Sequence, residues 1–270
     1  MEYLVAADLE GVGGVVGAPN ETLTASPDYE LAKENAIKEI NIAVKALFDS
    51  GADKVAVWDN HGGGGNLDFS KIDPRVEKIT VPKGEHRFEF ARKHNFSGIV
   101  YIGYHSREGT FGGVLAHTYS SKTVQYAKIN GEEVGELEVD TYIAATHNIA
   151  PLLVASDEAC VNQFKATSPE TVFVITKYGK SRNSAEFRDE DEVLREIYSG
   201  VIKALKKDIK PVSIKAPLEL EVRYSRAERS EEIYRIAEAD DGIGWVKYGS
   251  DTHTLIFGIN ELNRMPSIIN

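Results

Sequence analysis

Tyr3-Leu4-Val5-Ala6-Ala7-Asp8-Leu9-Glu10-Gly11 is the stretch on which the fold turns. Five apolar residues stopped abruptly by an acid and a glycine read as a short buried strand. Two further stretches repeat the pattern: Lys54-Val55-Ala56-Val57-Trp58, ending at Asp59-Asn60-His61, and Gly98-Ile99-Val100-Tyr101-Ile102, ending at Gly103-Tyr104-His105. Between the first two, Ala36, Ile40, Ala43, Val44 and Leu47 recur at helical spacing and Gly51 stops the run. Ser26-Pro27-Asp28 opens that helix, with Ser26 expected as N-cap and Pro27 at the first helical position.

The alternation continues downstream. Helices are expected over 85–94, 135–147 and 190–207, and strands over 152–155 and 171–175. Asn130-Gly131 suits a two-residue type I′ turn, which makes 127–134 a hairpin. Short apolar strands alternating with helices give an α/β fold, a largely parallel central sheet flanked by helices. Near Lys210-Pro211 the texture changes. Leu218-Glu219-Leu220-Glu221-Val222 alternates like a half-exposed strand, 231–239 is helical, and Thr254-Leu255-Ile256-Phe257 is a last strand. The expected organisation is therefore a catalytic α/β unit over 1–210 and a smaller C-terminal α+β segment over 211–270.

Composition narrows the function. The 270 residues carry 42 Asp+Glu against 31 Lys+Arg, a net charge of −11, which argues against nucleic acid as a partner. With 42% hydrophobic and 27% charged residues the chain is an ordinary globule. The single Cys160 excludes both a disulfide framework and a thiolate zinc site. No stretch approaches the ~20 apolar residues of a membrane span. Met1-Glu2-Tyr3-Leu4 lacks the basic start of a signal peptide, so the expected location is cytoplasmic.

Three strand ends carry metal-capable side chains: Asp8 and Glu10, then Asp59-Asn60-His61, then His105. Sites in open parallel sheets gather outside the carboxyl ends of the strands. Asp8 and Glu10, one residue apart in extended backbone, face the same way. Carboxylates and imidazoles without thiolate suit zinc, cobalt or manganese, and a bridging carboxylate would allow two ions to activate one water. His117, after the glycine-rich loop Gly109-Thr110-Phe111-Gly112-Gly113, is the candidate acid or base, and Glu136 opens a helix. Taken singly, an Asp-x-Glu reads as a loop turn or cap, a strand-end His as a polar tip, and Glu136 as an acid at a helix start. Their conjunction points to a metal site. Glu138 and Asp140 are candidates only for surrounding support, and Gly62-Gly63-Gly64-Gly65, lacking a P-loop ending, reads as a loop that admits a substrate backbone.

Asp8-Leu9-Glu10-Gly11, Asp59-Asn60-His61, Gly103-Tyr104-His105, Gly113-Val114-Leu115-Ala116-His117 and Val134-Gly135-Glu136-Leu137 follow a recognisable order and spacing. The chain resembles the DppA-like zinc-dependent D-aminopeptidase family from residue 1 to about Ala185, including Lys177 and Ser181-Arg182-Asn183-Ser184-Ala185. Members of that family remove N-terminal D-amino acids from short peptides. The resemblance implies two zinc ions per subunit held by Asp8, Glu10, His61, His105 and Glu136, with Asp8 bridging, His117 as the catalytic histidine, and a ring-like homo-oligomer. Ala6, Asn60, Glu138 and Asp140 depart from the family pattern; none is an implied ligand, but all bear on the surroundings that tune metal and substrate.

The function expected is thus a metallo-aminopeptidase acting on short peptides, with no nucleic-acid or membrane partner. Two other readings stay open on the residues. One is another metal-dependent hydrolase, an amidase or phosphoesterase; the other is a non-catalytic metal- or peptide-binding oligomer.

Overall fold

A computed structural model describes residues 1–81 and 85–269. β1 (Glu2–Ala7) leads through a loop to α1 (Tyr29–Asp49) and β2 (Lys54–Asp59), followed by β3 (Glu77–Ile79) and β4 (Phe96–Ile102). The hairpin of β5 (Val124–Ile129) and β6 (Glu132–Val134) precedes α2 (Glu136–Thr146), β7 (Ala150–Ser156), α3 (Glu158–Phe164) and β8 (Val172–Ile175). A second hairpin, β9 (Lys177–Ser181) and β10 (Ser184–Phe187), leads to α4 (Glu190–Leu205). The chain ends with β11 (Leu218–Tyr224), α5 (Ala227–Glu238), β12 (Ile243–Tyr248), β13 (Thr254–Ile259) and α6 (Met265–Ile269).

Six strands pair in parallel in the order β3-β2-β1-β4-β7-β8. Leu4 and Ala6 enter a core shared with Trp58 and Tyr101, while Tyr3, Val5 and Ala7 enter another with Ile40 and Leu47 of α1 and Ile197 of α4. A strand covered on both faces has no solvent side, which is why its sequence is an unbroken apolar run. The expected largely parallel sheet flanked by helices is what the chain builds.

The second sheet is antiparallel, in the order β12-β13-β11-β5-β6. Its β5 pairs with β11, Leu220 facing Ile129 and Arg223 facing Tyr126. Strands from both sides of the expected boundary at 210/211 therefore share one sheet. Asn130 and Gly131 adopt φ of 51° and 87°, the left-handed pair that a type I′ turn requires.

Two local expectations are corrected. Helix α1 begins at Tyr29 with Asp28, not Ser26, in the capping position, and the Asp28 carboxylate accepts from the N–H groups of Val16 (3.1 Å) and Gly17 (2.9 Å) instead of from the helix. Over 85–94 the chain forms one 3₁₀ turn, Glu89–Lys93, preceded by Phe88 at φ 64°. Phe88 and Phe90 both pack on Trp58, with ring centroids 5.0 and 5.3 Å away. Residues two apart on an α-helix cannot face one partner, so this packing excludes the helix. Among the described residues no helix is long and apolar enough to cross a membrane.

Candidate metal centre

The strand order reverses between β1 and β4: the chain proceeds one way to β2 and β3, and the other way to β7 and β8. The crevice at such a switch point is where open parallel sheets bind ligands. Asp8 follows β1, with its N–H on Ile102 O at 2.8 Å, and Gly11 N–H reaches Gly103 O at 2.7 Å. The two strand ends approach so closely that a Cβ on Gly11 would lie 2.0 Å from Tyr104 O, and one on Gly103, at φ 73°, 2.2 Å from Asp8 O. Glycine is obligatory at both places.

Asp8, Glu10, His61, His105, His117 and Glu136 converge on a cavity of about 360 Å³. His105 Nε2 lies 3.5 Å from Asp8 Oδ2 and 3.3 Å from Glu136 Oε1. His61 Nε2 is 3.2 Å from Glu10 Oε1, and His117 Nε2 is 3.7 Å from Glu136 Oε1. The His105 and His117 rings stack at 3.9 Å. All three imidazoles are held the same way. Each Nδ1 meets an oxygen acceptor: Asn66 Oδ1 at 3.3 Å for His61, Ser106 O at 3.0 Å for His105, and Leu115 O at 2.8 Å for His117. A proton kept at Nδ1 leaves Nε2 facing the carboxylates, the orientation that ligating histidines adopt.

The loops around the cluster explain how it is held. Asp59 accepts from the backbone and side chain of Asn66, closing the Gly62–Gly65 loop that carries His61. Lys177, fully buried, donates to the carbonyls of Glu10 (2.6 Å), Val12 (2.8 Å) and Val15 (2.7 Å), clamping the loop after β1. Burial pulls its ammonium pKa down to about 8. His117 stands between Leu115 and Tyr119, two non-glycine residues at φ 53° and 56°. Such backbone persists only where the surroundings over-determine it. Here Leu115 N–H donates to Arg182 O (2.8 Å) and Tyr119 N–H to Glu136 Oε1 (2.9 Å). Glu136 itself opens α2, where the helix dipole favours a carboxylate.

The electrostatics fit a divalent cation. Burial and the neighbouring Glu10 raise the Asp8 carboxyl, whereas for Glu10 the adjacent His61 outweighs burial and lowers it. Against burial, Glu10 lifts His61 and Glu136 lifts His105, each to about 10. Burial and His105 press His117 down to about 4. Glu10 Oε2, buried, has no hydrogen-bond partner among the described residues. Ligand atoms of Asp8, Glu10 and His105, and again of His105, His117 and Glu136, lie within 4.8 Å of one another. A crowd of oxygen and nitrogen donors with an unsatisfied buried oxygen is the donor set for a hard or borderline divalent ion.

Two of the departures from the family pattern, Asn60 and Asp140, meet in one network beside the cluster. Asp140 Oδ2 accepts from Asn60 Nδ2 (2.9 Å) and Tyr104 Oη (2.8 Å), and the carboxylate takes a two-point bond from Arg87 at 2.9 and 2.6 Å. Glu138 turns back to the Gly135 N–H (2.8 Å) and to Gln163. The peptidase family M55, described as D-aminopeptidase, matches residues 1–250. The chain belongs to the D-aminopeptidase family. A D-aminopeptidase of Bacillus subtilis (strain 168) is 27% identical over 188 residues, 69% of this chain and 67% of its own length. A solved structure, the Zn-dependent D-aminopeptidase DppA from Bacillus subtilis, described as a self-compartmentalizing protease, superposes with a TM-score of 0.83 at 23% identity. It covers 100% of this chain and 95% of its own, so the two share the fold. In this D-aminopeptidase-family chain, sequence reasoning passed over Arg87 and the role of Lys177. Lys177, a lysine just past an apolar strand that also belongs to the family resemblance, was the trace of the clamp.

Proposed function

We propose that the chain is a metallo-aminopeptidase that removes the N-terminal residue, D-amino acids included, from short peptides with two zinc ions per subunit. The observation that carries this reading is the convergence of three carboxylates and three imidazoles, each imidazole presenting Nε2 inward. Asp8, Glu10, His61, His105 and Glu136 would hold the ions, Asp8 as the bridge. When bound, a pair of divalent ions supplies Lewis acidity at the scissile carbonyl and makes water acidic enough to attack at neutral pH. His117, anchored through Nδ1 on Leu115 O, has Nε2 free to take the proton of the attacking water and return it to the leaving amine. The self-compartmentalizing description of the solved relative supports a ring-like homo-oligomer, which would admit short peptides and exclude folded proteins.

A second reading of His117 has its own observation: its ligand atom groups with those of His105 and Glu136 within 4.8 Å, as a further ligand's would. Elemental analysis of wild type and His117→Ala, beside assays on paired D- and L-alanyl dipeptides, separates the two. The proposed role predicts full zinc in the variant with kcat reduced about 10²- to 10⁴-fold. Loss of zinc from the variant would make His117 a ligand. A zinc-loaded wild type that cleaves no dipeptide, tested beside aryl amides and phosphodiesters, would remove the aminopeptidase reading.

A further inference from the structure

Arginines held out of bulk solvent in this chain are paired with acids. Arg87, Arg107, Arg188, Arg223, Arg229 and Arg264 each have a carboxylate oxygen within 3.1 Å. Arg182, half-buried, is the exception: no carboxylate lies within ion-pair distance among the described residues. Its position is not accidental. Nη1 donates to Ala116 O and its own carbonyl accepts from Leu115 N–H, so it is fastened to the two residues before His117. It lines the same cavity of about 360 Å³ as Asp8, Glu10 and Glu136. Lys122, exposed and likewise without a carboxylate partner among the described residues, lines that cavity too.

The cavity therefore has an acidic pole and a cationic wall. A guanidinium offers five N–H donors in a planar fork, and the contact to Ala116 O occupies one edge only. A half-buried cation without a counter-ion is expensive to keep, and in a chain of net charge −11 acids to neutralise it are plentiful. The group that fits the remaining donors is a carboxylate, bound by charge-assisted hydrogen bonds. A cavity of about 360 Å³ lies at the small end for ligand sites, so that carboxylate must sit close to the scissile amide.

We infer that Arg182, assisted by Lys122, receives the free C-terminal carboxylate of the peptide substrate and so restricts the enzyme to very short peptides. The inference rests on the aminopeptidase reading above. The test compares D-Ala-D-Ala with its C-terminal amide on the zinc-loaded wild type, Arg182→Gln and Arg182→Lys. Wild type should favour the acid by about ten- to a hundredfold in kcat/KM, chiefly through KM. Arg182→Gln should cut that ratio to at most the few-fold that Lys122 alone can hold, and Arg182→Lys should keep more of it, because a second charge survives without the fork. Calorimetric titration of the reduced-amide isostere of D-Ala-D-Ala, as acid and as amide, reads the same contact without turnover. Acid and amide binding wild type equally would overturn the inference, whatever the activities. Tighter binding of the acid to wild type, with no hydrolysis of either peptide, would keep the carboxylate site and refute the aminopeptidase reading.

Discussion

Glu39 sits in the middle of α1, its Oε1 accepting the Gly13 N–H at 2.8 Å and its Oε2 without a partner among the described residues. Burial raises its carboxyl to about 7. Below pH 4.5 the group is protonated whether the chain is folded or not, and its contribution to stability is fully present. Between 4.5 and about 7 the unfolded chain releases the proton while the folded chain keeps it, so stability falls as pH rises through that window. At about 1.4 kcal/mol per pH unit the effect has a ceiling of about 3 kcal/mol. Glu39→Gln should remove this slope and gain stability over wild type at pH 8, read as denaturation midpoints at pH 4.5, 6 and 8. Parallel curves for the two proteins would refute the argument. Nothing in the sequence singled out Glu39, because a glutamate on a helix is ordinarily solvated. Its burial depends on the loop after β1 folding over it.

At the scale of elements, the contact between the ends of β1 and β4 decides whether the ligands meet. Gly11→Ala would put a methyl 2.0 Å from Tyr104 O and 2.6 Å from Ser156 Oγ, against backbone that cannot swing aside. Overpacking of this kind costs about 1–3 kcal/mol, and here it would separate Asp8 and Glu10 from His105. The variant should lose zinc on dialysis and melt several degrees lower. Gly131→Ala is the control: at φ 87° with nothing within 4 Å of the added carbon, it should cost about 1–2 kcal/mol and leave zinc content intact. Equal zinc retention in both variants would show that the approach of the two strands is not what assembles the site. The strand ends and their acids and imidazoles were readable from runs such as 3–11, since a two-face-buried strand writes itself as apolar residues with an abrupt stop. The 85–94 segment was misread because its turn follows from Phe88 and Phe90 packing on Trp58, a partner distant in the chain.

For the whole molecule, the cluster concentrates Asp8, Glu10 and Glu136 in one buried cavity, so its folded state should depend on bound cations. Ligands that bind only the folded chain stabilise it by mass action, about 4 kcal/mol at a thousandfold excess over Kd. Chelation should therefore lower Tm by about 10 °C, at roughly 2–4 °C per kcal/mol for a chain of this size, and added zinc should restore it. A Tm unmoved by chelator and by zinc would mean the cluster is held by its own hydrogen bonds. By itself, the order of residues determined the alternation of strands and helices, the parallel sheet, and which side chains end the strands. Those are short-range matters of periodicity, turn chemistry and residue type. Only the tertiary structure decided that the 124–134 hairpin joins β11–β13 in one sheet, that Asn60, Tyr104, Asp140 and Arg87 close a network, and that no acid among the described residues pairs with Arg182. Pairings between segments so far apart depend on the shapes and charges that meet after folding, and no local pattern encodes them.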